Sequence, residues 1–192
     1  MVLGTCDVFK ITECTVESNS SSAGIRINGD VRALTVDSVY FEGNNGDGDI
    51  VYDSAGGQAL GHLIQNNYFN ARAGVVFDGN TIVSGLTISN NYFDGDGPSI
   101  KFNSGAVPSF FGLYIKDNHH SNVEKFFDVE IANLQPSDIV YPKNVIYIND
   151  TFDTGSGIRP YPVENPLAIN STWNVKTGGA TIVDSKINHH GS

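Results

Sequence analysis

Asn28, Asp53, Asp78, Asn103 and Asp128 follow one another at a constant spacing of 25 residues, and each closes a short strand-like run. The runs read Gly-Ile-Arg-Ile-Asn at 24–28, Asp-Ile-Val-Tyr-Asp at 49–53, Gly-Val-Val-Phe-Asp at 74–78, Ser-Ile-Lys-Phe-Asn at 99–103 and Glu-Lys-Phe-Phe-Asp at 124–128. A period in this range is the signature of one supersecondary unit stacked on copies of itself. No single unit can bury its apolar side alone, so the chain must form a solenoid.

A second run recurs between the first ones. It reads Phe-Lys-Ile-Thr-Glu-Cys-Thr-Val at 9–16, Leu-Thr-Val-Asp-Ser-Val-Tyr-Phe at 34–41, His-Leu-Ile-Gln-Asn-Asn-Tyr-Phe at 62–69 and Leu-Thr-Ile-Ser-Asn-Asn-Tyr-Phe at 86–93. Further copies are Leu-Tyr-Ile-Lys-Asp-Asn-His-His at 113–120, Val-Ile-Tyr-Ile-Asn-Asp-Thr-Phe at 145–152 and a degraded one near 181–187. Alternation within each run assigns its faces. Leu34, Leu86 and Leu113 point inward, as do Val36, Ile64, Ile88 and Ile115. Phe41, Phe69 and Phe93 form a third inward column, and Tyr52, Phe77, Phe102 and Phe127 a fourth. Cys14 falls at an inward position and reads as a buried thiol. Asn67, Asn91, Asn118 and Asp150 precede the aromatic pair at a turn, where a side-chain amide can bond to the next coil and satisfy polar groups that stacking buries.

The expected fold is therefore all-β: a right-handed parallel β-helix of about 25-residue coils spaced by about 4.8 Å. Regular coils are expected over 1–131, with irregular last coils and a cap or oligomerisation region over 132–192. Pro136, Pro142, Pro160, Pro162 and Pro166 all lie in the second part and are edge and loop chemistry. A β-sandwich also has many short strands, but it does not repeat one sequence at fixed spacing.

The rung Leu86-Thr-Ile-Ser-Asn-Asn-Tyr-Phe-Asp-Gly95, with its asparagine turn, resembles the right-handed β-helices of the pectate-lyase-like superfamily. Among these it is most similar to bacteriophage tailspike and polysaccharide-depolymerase β-helices, over roughly residues 5–155. The resemblance implies recognition of a bacterial surface polysaccharide, a homotrimeric assembly and a place on a phage tail, or otherwise an extracellular one. It is specific for fold and weak for activity, because one fold hosts many functions. A non-catalytic shaft and a secreted polysaccharide lyase remain the alternatives. The opening residues carry no signal-peptide pattern, and the chain starts almost directly in a strand, so it reads as a piece of a larger protein or one whose ends are covered.

Composition narrows the partners. The 192 residues carry a formal charge of −10, which argues against nucleic acid and anionic membranes. No apolar run approaches membrane-spanning length, so no insertion is expected. Two cysteines are too few for a disulfide scaffold. Nucleotide loops, zinc spacings and nucleophile elbows are missing, so no cofactor is expected. Calcium is the one ion the loops Asp47-Gly-Asp49 and Asp94-Gly-Asp96 bring to mind, although neither supplies enough oxygens.

Chemistry is then sought in surface columns. Outward on the strand that carries the phenylalanines lie Tyr40, Tyr68, Tyr92 and His119, one per coil. Two residues further along lie Glu42, Asn70, Asp94 and Ser121. A flat aromatic ladder beside carboxylates suits a sugar polymer, whose apolar ring faces stack on the tyrosines and whose hydroxyls bond to carboxylate and amide groups. Tyr40, Tyr68, Tyr92, His119, Asn70 and Arg72 are the candidate substrate-binding residues. Glu42, Asp94 and Asp96 are the candidate catalytic residues, with Asp47 and Asp49 in the same loops. Glu42 and Asp94 lie two coils apart, about 10 Å, close to the 6.5–9.5 Å of paired carboxylates in inverting glycosidases. The bland alternative is that outward tyrosines are good strand formers and that Asp-Gly is turn chemistry. His119 and His120 are neighbours on a strand and face opposite sides, which excludes a shared metal. The column that begins at Asn28 reads as structural, a row of Asx turns.

Overall fold

A computed structural model describes residues 1–53, 57–70, 73–78, 81–94, 97–103 and 109–121. It also describes the backbone of strands at Phe127–Val129, Val145–Ile148, Thr151–Thr154, Trp173–Val175, Gly178–Val183 and Lys186–His189. Among the described residues every regular element is a strand, and the strands form three sheets. The first sheet stacks Val2–Leu3, Ile25–Ile27, Ile50–Tyr52, Val75–Phe77, Ile100–Phe102 and Phe127–Val129. The second begins Cys6–Thr12, Val31–Asp37, then Gln58–Leu60 with Leu63–Gln65, Ile82–Ser89 and Ser109–Lys116. The third begins Thr15–Glu17, Tyr40–Glu42, Tyr68–Asn70, Tyr92–Phe93 and His119–Ser121. Each coil visits the sheets in that order, and successive coils pair in parallel register, Ile25 with Ile50 with Val75 with Ile100. The fold is a parallel β-helix.

The side chains of Leu113, Phe102 and Phe127 lie outside the described residues; the other inward residues are where alternation placed them. Leu34, Val36, Ile64, Leu86, Ile88 and Ile115 are buried, as are Phe41, Phe69, Phe93, Tyr52 and Phe77. The rings stack along the axis: Phe41 on Phe69 at 4.9 Å, Phe69 on Phe93 at 4.6 Å, Tyr52 on Phe77 at 5.0 Å. Such pairs add about 0.5–1.5 kcal/mol each beyond their area. His120 continues the phenylalanine column, stacked on Phe93 at 5.0 Å, while His119 points out. The two histidines therefore face opposite sides, as strand geometry requires.

The 25-residue column breaks at its fifth member. Ile100 pairs with Phe127 and Lys101 with Asp128, so Asp128 sits two positions short of the place opposite Asn103. The coil is two residues longer there, and a constant count no longer marks a constant position. Phe127 likewise lies opposite Ile100 and not opposite Phe102. Beyond it, the copies at 145–152 and 181–187 do continue the coil. Val145–Ile148 pairs with Ser109–Lys116 and Gly178–Val183 with Val145–Ile148. Thr151–Thr154 and Lys186–His189 extend the third sheet. Trp173–Val175 pairs antiparallel with Gly178–Val183, and the rest of 132–192, including Asp150, lies outside the described residues.

The corner between the second and third sheets is built from two residues per coil. The first adopts a left-handed backbone: Glu13, Ser38, Asn66, Asn90 and Asp117 have φ between 51° and 58°. Asn and Asp tolerate that region best. The second residue closes a buried ladder. The Asn91 amide Nδ2 donates to the Ile64 carbonyl and to Asn118 Oδ1, both at 3.0 Å. Asn91 Oδ1 accepts from the Asn67 backbone N–H and from Asn67 Nδ2, each at 3.0 Å. Asn67 Oδ1 in turn accepts the Val39 N–H at 2.9 Å, where the ladder ends because position 39 is valine. Cys14 occupies the same position one coil earlier and is exposed, not buried. Among the described residues its coil has a stacked neighbour on one side only, so an inward direction there does not bring burial.

A second left-handed column was not anticipated. The second-sheet strand bulges once per coil, at Val8, Ala33, Gly61 and Gly85, with φ of 53°, 49°, 66° and 68°. Register places these four opposite one another. Glycine takes this conformation without a Cβ clash, whereas Val8 and Ala33 carry the strain.

Two stability outcomes follow. Val8→Gly and Ala33→Gly should each raise stability in urea by about 1 kcal/mol, while Gly85→Ala lowers it by a similar amount. Asn91→Ala leaves the Ile64 carbonyl and the Asn67 N–H without their partner, and its loss should be roughly 2–4 kcal/mol. Equal, small effects at Asn91 and at an exposed asparagine such as Asn45 would show that the ladder carries no such weight.

Candidate functional site

The outer faces of the three sheets differ. On the first, Val51 and Val76 point outward yet are buried with Ala23 and Ala73. The loop 43–49 lies over them: a Cβ on Gly48, whose φ is 146°, would come within 2.6 Å of Val76 Cγ2. Arg26, in the same outward column, is bridged to Asp47 and Asp53. The second sheet carries mixed charge. The third sheet leaves Tyr40 and Tyr92 exposed, with Tyr68 and His119 half-buried.

On that face Tyr40, Tyr68, Tyr92 and His119 form one column. Their rings are nearly parallel, with centroids 5.1, 5.3 and 4.7 Å apart in turn. The faces between neighbours are therefore spent on each other, and the column presents ring edges and hydroxyls. Flat docking of a sugar ring on each tyrosine, as expected from the sequence, is not what this geometry offers. Tyr40 and Tyr92 are 38% and 37% exposed, so their edges are open to a ligand.

The second column runs Glu42, Asn70, Asp94. Glu42 pairs directly with Asn70, and Asp94 follows Phe93, the partner of Phe69. Glu42 and Asp94 thus stand two coils apart with Asn70 between them, about 10 Å by strand spacing. The hydroxyls of the first column lean onto the second. Tyr68 Oη donates to Asp94 Oδ2 at 2.8 Å, one coil further on. That bond is the main reason the Tyr68 phenol is pushed up to about 12. Tyr40 is also held above the usual phenol range, first by desolvation and then by the Glu42 carboxylate. Sequence reading missed Glu17, which pairs directly with Glu42 on the neighbouring coil. Its spacing of 25 residues from Glu42 was the available signal.

Other candidates separate. Arg72 and Asp96 lie outside the described residues. Asp47 is engaged by Arg26 on the first-sheet side. Asp49 is fully buried, its Oδ1 accepting from Asn44 Nδ2 at 2.7 Å and its Oδ2 without a hydrogen-bond partner. Asp47 is engaged at the surface and Asp49 is enclosed, so the two carboxylates do not act together. Among the described residues no group of three His, Cys, Asp or Glu side chains is arranged to hold a metal.

The core also contains titratable groups that the repeat pattern did not single out. His62 stands where other coils have leucine, opposite Leu34 and Leu86. Its Nε2–H donates to the Val31 carbonyl at 2.8 Å, so Nδ1 accepts from Tyr52 Oη at 3.1 Å. Burial lowers the pKa of His62 and, more strongly, of His120, whose Nδ1 lies 2.8 Å from Ser99 Oγ. Burial pushes Asp49 the other way, from 3.8 to about 8.

These shifts set opposing limbs of stability against pH. The histidines stay neutral in the fold, so their contribution is complete above the ordinary value of 6.5 and is lost as pH falls. Asp49 is protonated in the fold, so its contribution is complete below 3.8 and is lost as pH rises to about 8, by about 1.4 kcal/mol per unit. Urea midpoints measured from pH 4 to 9 should pass through a maximum between these limbs. Asp49→Asn should abolish the alkaline fall and leave the acid one, whereas His120→Gln should soften the acid one. An alkaline fall unchanged in Asp49→Asn would show that Asp49 is ionised in the fold.

Compared with protein-family models, curated proteins and solved structures, the chain matches none.

Proposed function

We propose that the third-sheet face binds a bacterial surface polysaccharide along the coil axis, as part of a tailspike-like protein. One observation carries the reading. Groups able to bond sugar hydroxyls recur coil by coil beside an outward aromatic column: Tyr40, Tyr68, Tyr92 and His119, of which Tyr40 and Tyr92 are exposed, next to Glu42, Asn70 and Asp94. A polymer laid along the axis meets the same chemistry at each step, and its apolar CH surfaces rest on ring edges.

Cleavage, where it occurs, is hydrolysis by Glu42 and Asp94. One acts as the acid that protonates the leaving oxygen, and the other as the base that activates water. Their two-coil separation leaves room for that water. Asn70 lies between them and offers a donor and an acceptor to a bound sugar.

A second reading draws on the same geometry. The rings stack on one another and Tyr68 is already bonded to Asp94, so the strip also serves the coil itself. A β-helix shaft with its binding surface elsewhere has the same features.

A turnover and binding screen separates the two. Purified capsular and O-antigen polysaccharides are incubated with the parent, Glu42→Gln, Asp94→Asn and Tyr92→Ala, following new reducing ends, the ultraviolet absorbance of unsaturated products, and retention of the protein. The hydrolase outcome is new reducing ends without absorbance, reduced at least about 100-fold in either carboxylate variant. Unsaturated product means a lyase and removes the paired-carboxylate mechanism. Binding that Tyr92→Ala weakens, without turnover in any protein, leaves a recognition module. Neither binding nor turnover, with all four proteins folded, selects the shaft.

A further inference from the structure

We infer that the polymer taken by this face is neutral or amino-bearing and not a uronate or sialylated chain. The inference rests on the polysaccharide reading above and sharpens its substrate class. Two observations carry it: how charge is partitioned among the three faces, and which hydrogen-bonding roles the strip leaves open.

Over residues 1–121 the described cations lie elsewhere, and Lys186 joins this column only two coils beyond His119. Arg26 is consumed by Asp47 and Asp53 on the first-sheet side, where Lys101 also stands, in line with Val76. Lys10, Arg32 and Lys116 belong to second-sheet strands, Arg32 within 3.6 Å of Asp7. From Thr15–Glu17 through His119–Ser121 the third-sheet strands carry no Lys or Arg at any position. The same stretch places Glu17 directly beside Glu42, with Asn70 and then Asp94 following.

Ionised carboxylates only accept hydrogen bonds, and the nearest donor, Tyr68 Oη, is already given to Asp94. Beside the Asn70 amide and the tyrosine hydroxyls the strip is rich in acceptors, and what its carboxylates take from a ligand is donors. Sugar hydroxyls and ammonium groups do so. A uronate would bring a further acceptor-only anion within a few ångströms of like charges and find no guanidinium or ammonium at the strand positions from Thr15–Glu17 through His119–Ser121 to pair with. Such repulsion is modest per contact in water, screened over about 8 Å at physiological salt, and summed over successive sugars.

The test is affinity electrophoresis through gels containing bacterial polysaccharides sorted by charge: neutral, amino-bearing, and uronate- or sialate-bearing. Parent, Glu17→Gln/Glu42→Gln and Tyr92→Ala are run at low ionic strength and at about 0.15 M salt. Expected is retardation by neutral or amino-bearing polymers, with anionic ones at least about tenfold weaker at low salt. That gap should narrow with salt and in the double variant, while Tyr92→Ala weakens binding of every retained polymer. Preferential binding of the anionic chains, still sensitive to Tyr92→Ala, would overturn the substrate class while keeping the strip as the binding face. Retardation indifferent to Tyr92→Ala, or none with any polymer, would remove the strip as a binding face and the inference with it.

Discussion

Everything in this molecule depends on coil-to-coil backbone pairing in parallel register. Once Ile25, Ile50, Val75 and Ile100 are hydrogen-bonded neighbours, each residue type in the repeat becomes a column. Apolar columns make the core, aromatic columns make stacks, and any polar residue that points inward must find its partner in the adjacent coil. The asparagine ladder meets that demand. Asn67, Asn91 and Asn118 each tie a corner carbonyl, and Asn67 and Asn91 also tie the next amide, so a turn that stacking would bury unpaired is satisfied from within. The preceding left-handed residue sets the corner, which is why Asn-Asn and Asp-Asn recur as pairs.

The same dependence decides what could be read in the sequence. Columns of inward residues were legible because strand alternation has a fixed period and the coil length is nearly constant. His119 and His120 divided between outside and inside for that reason alone. Counting failed where coil length changed, since Asp128 keeps the spacing of 25 but not the register. It also failed where direction was mistaken for burial, as at Cys14. Loops were the harder case. Asp47 and Asp49 are two residues apart in one Gly-rich segment, yet one bridges Arg26 at the surface and the other is enclosed beside Asn44. Composition cannot separate those fates, because both depend on the path of the loop over the first sheet.

Buried polar groups give the coil its register at a cost. A slip by one coil would set His62 against a different ring and remove the Val31 and Tyr52 partners that match its two nitrogens. Asp49 is less well served, with one oxygen unpartnered. A buried carboxyl in that setting is cheaper neutral than ionised, which is the physical origin of its raised pKa. A chain built of near-identical coils has many near-native alternatives, and asymmetric partners of this kind distinguish one register from the rest.

On the function proposed above, structure and recognition share residues in the third-sheet strip. Stacking at about 4.8 Å forces rings in one column into face-to-face contact, so an outward aromatic column on a β-helix hardens its own surface first. What it then offers a ligand is the remainder: edges, hydroxyls and the acceptors beside them. Tyr68 gives its hydroxyl to Asp94, but Glu17, Glu42 and Asn70 keep acceptor capacity in a row. A rigid row of acceptors at constant pitch loses little entropy when a polymer binds, and preorganisation of this sort is what lets a shallow, uncovered face hold a chain of sugars. The covered first-sheet face, sealed by Gly48 over Val76 and by Arg26 with its two aspartates, has no such row to offer. That difference comes from the loop 43–49, which folds back over the first sheet.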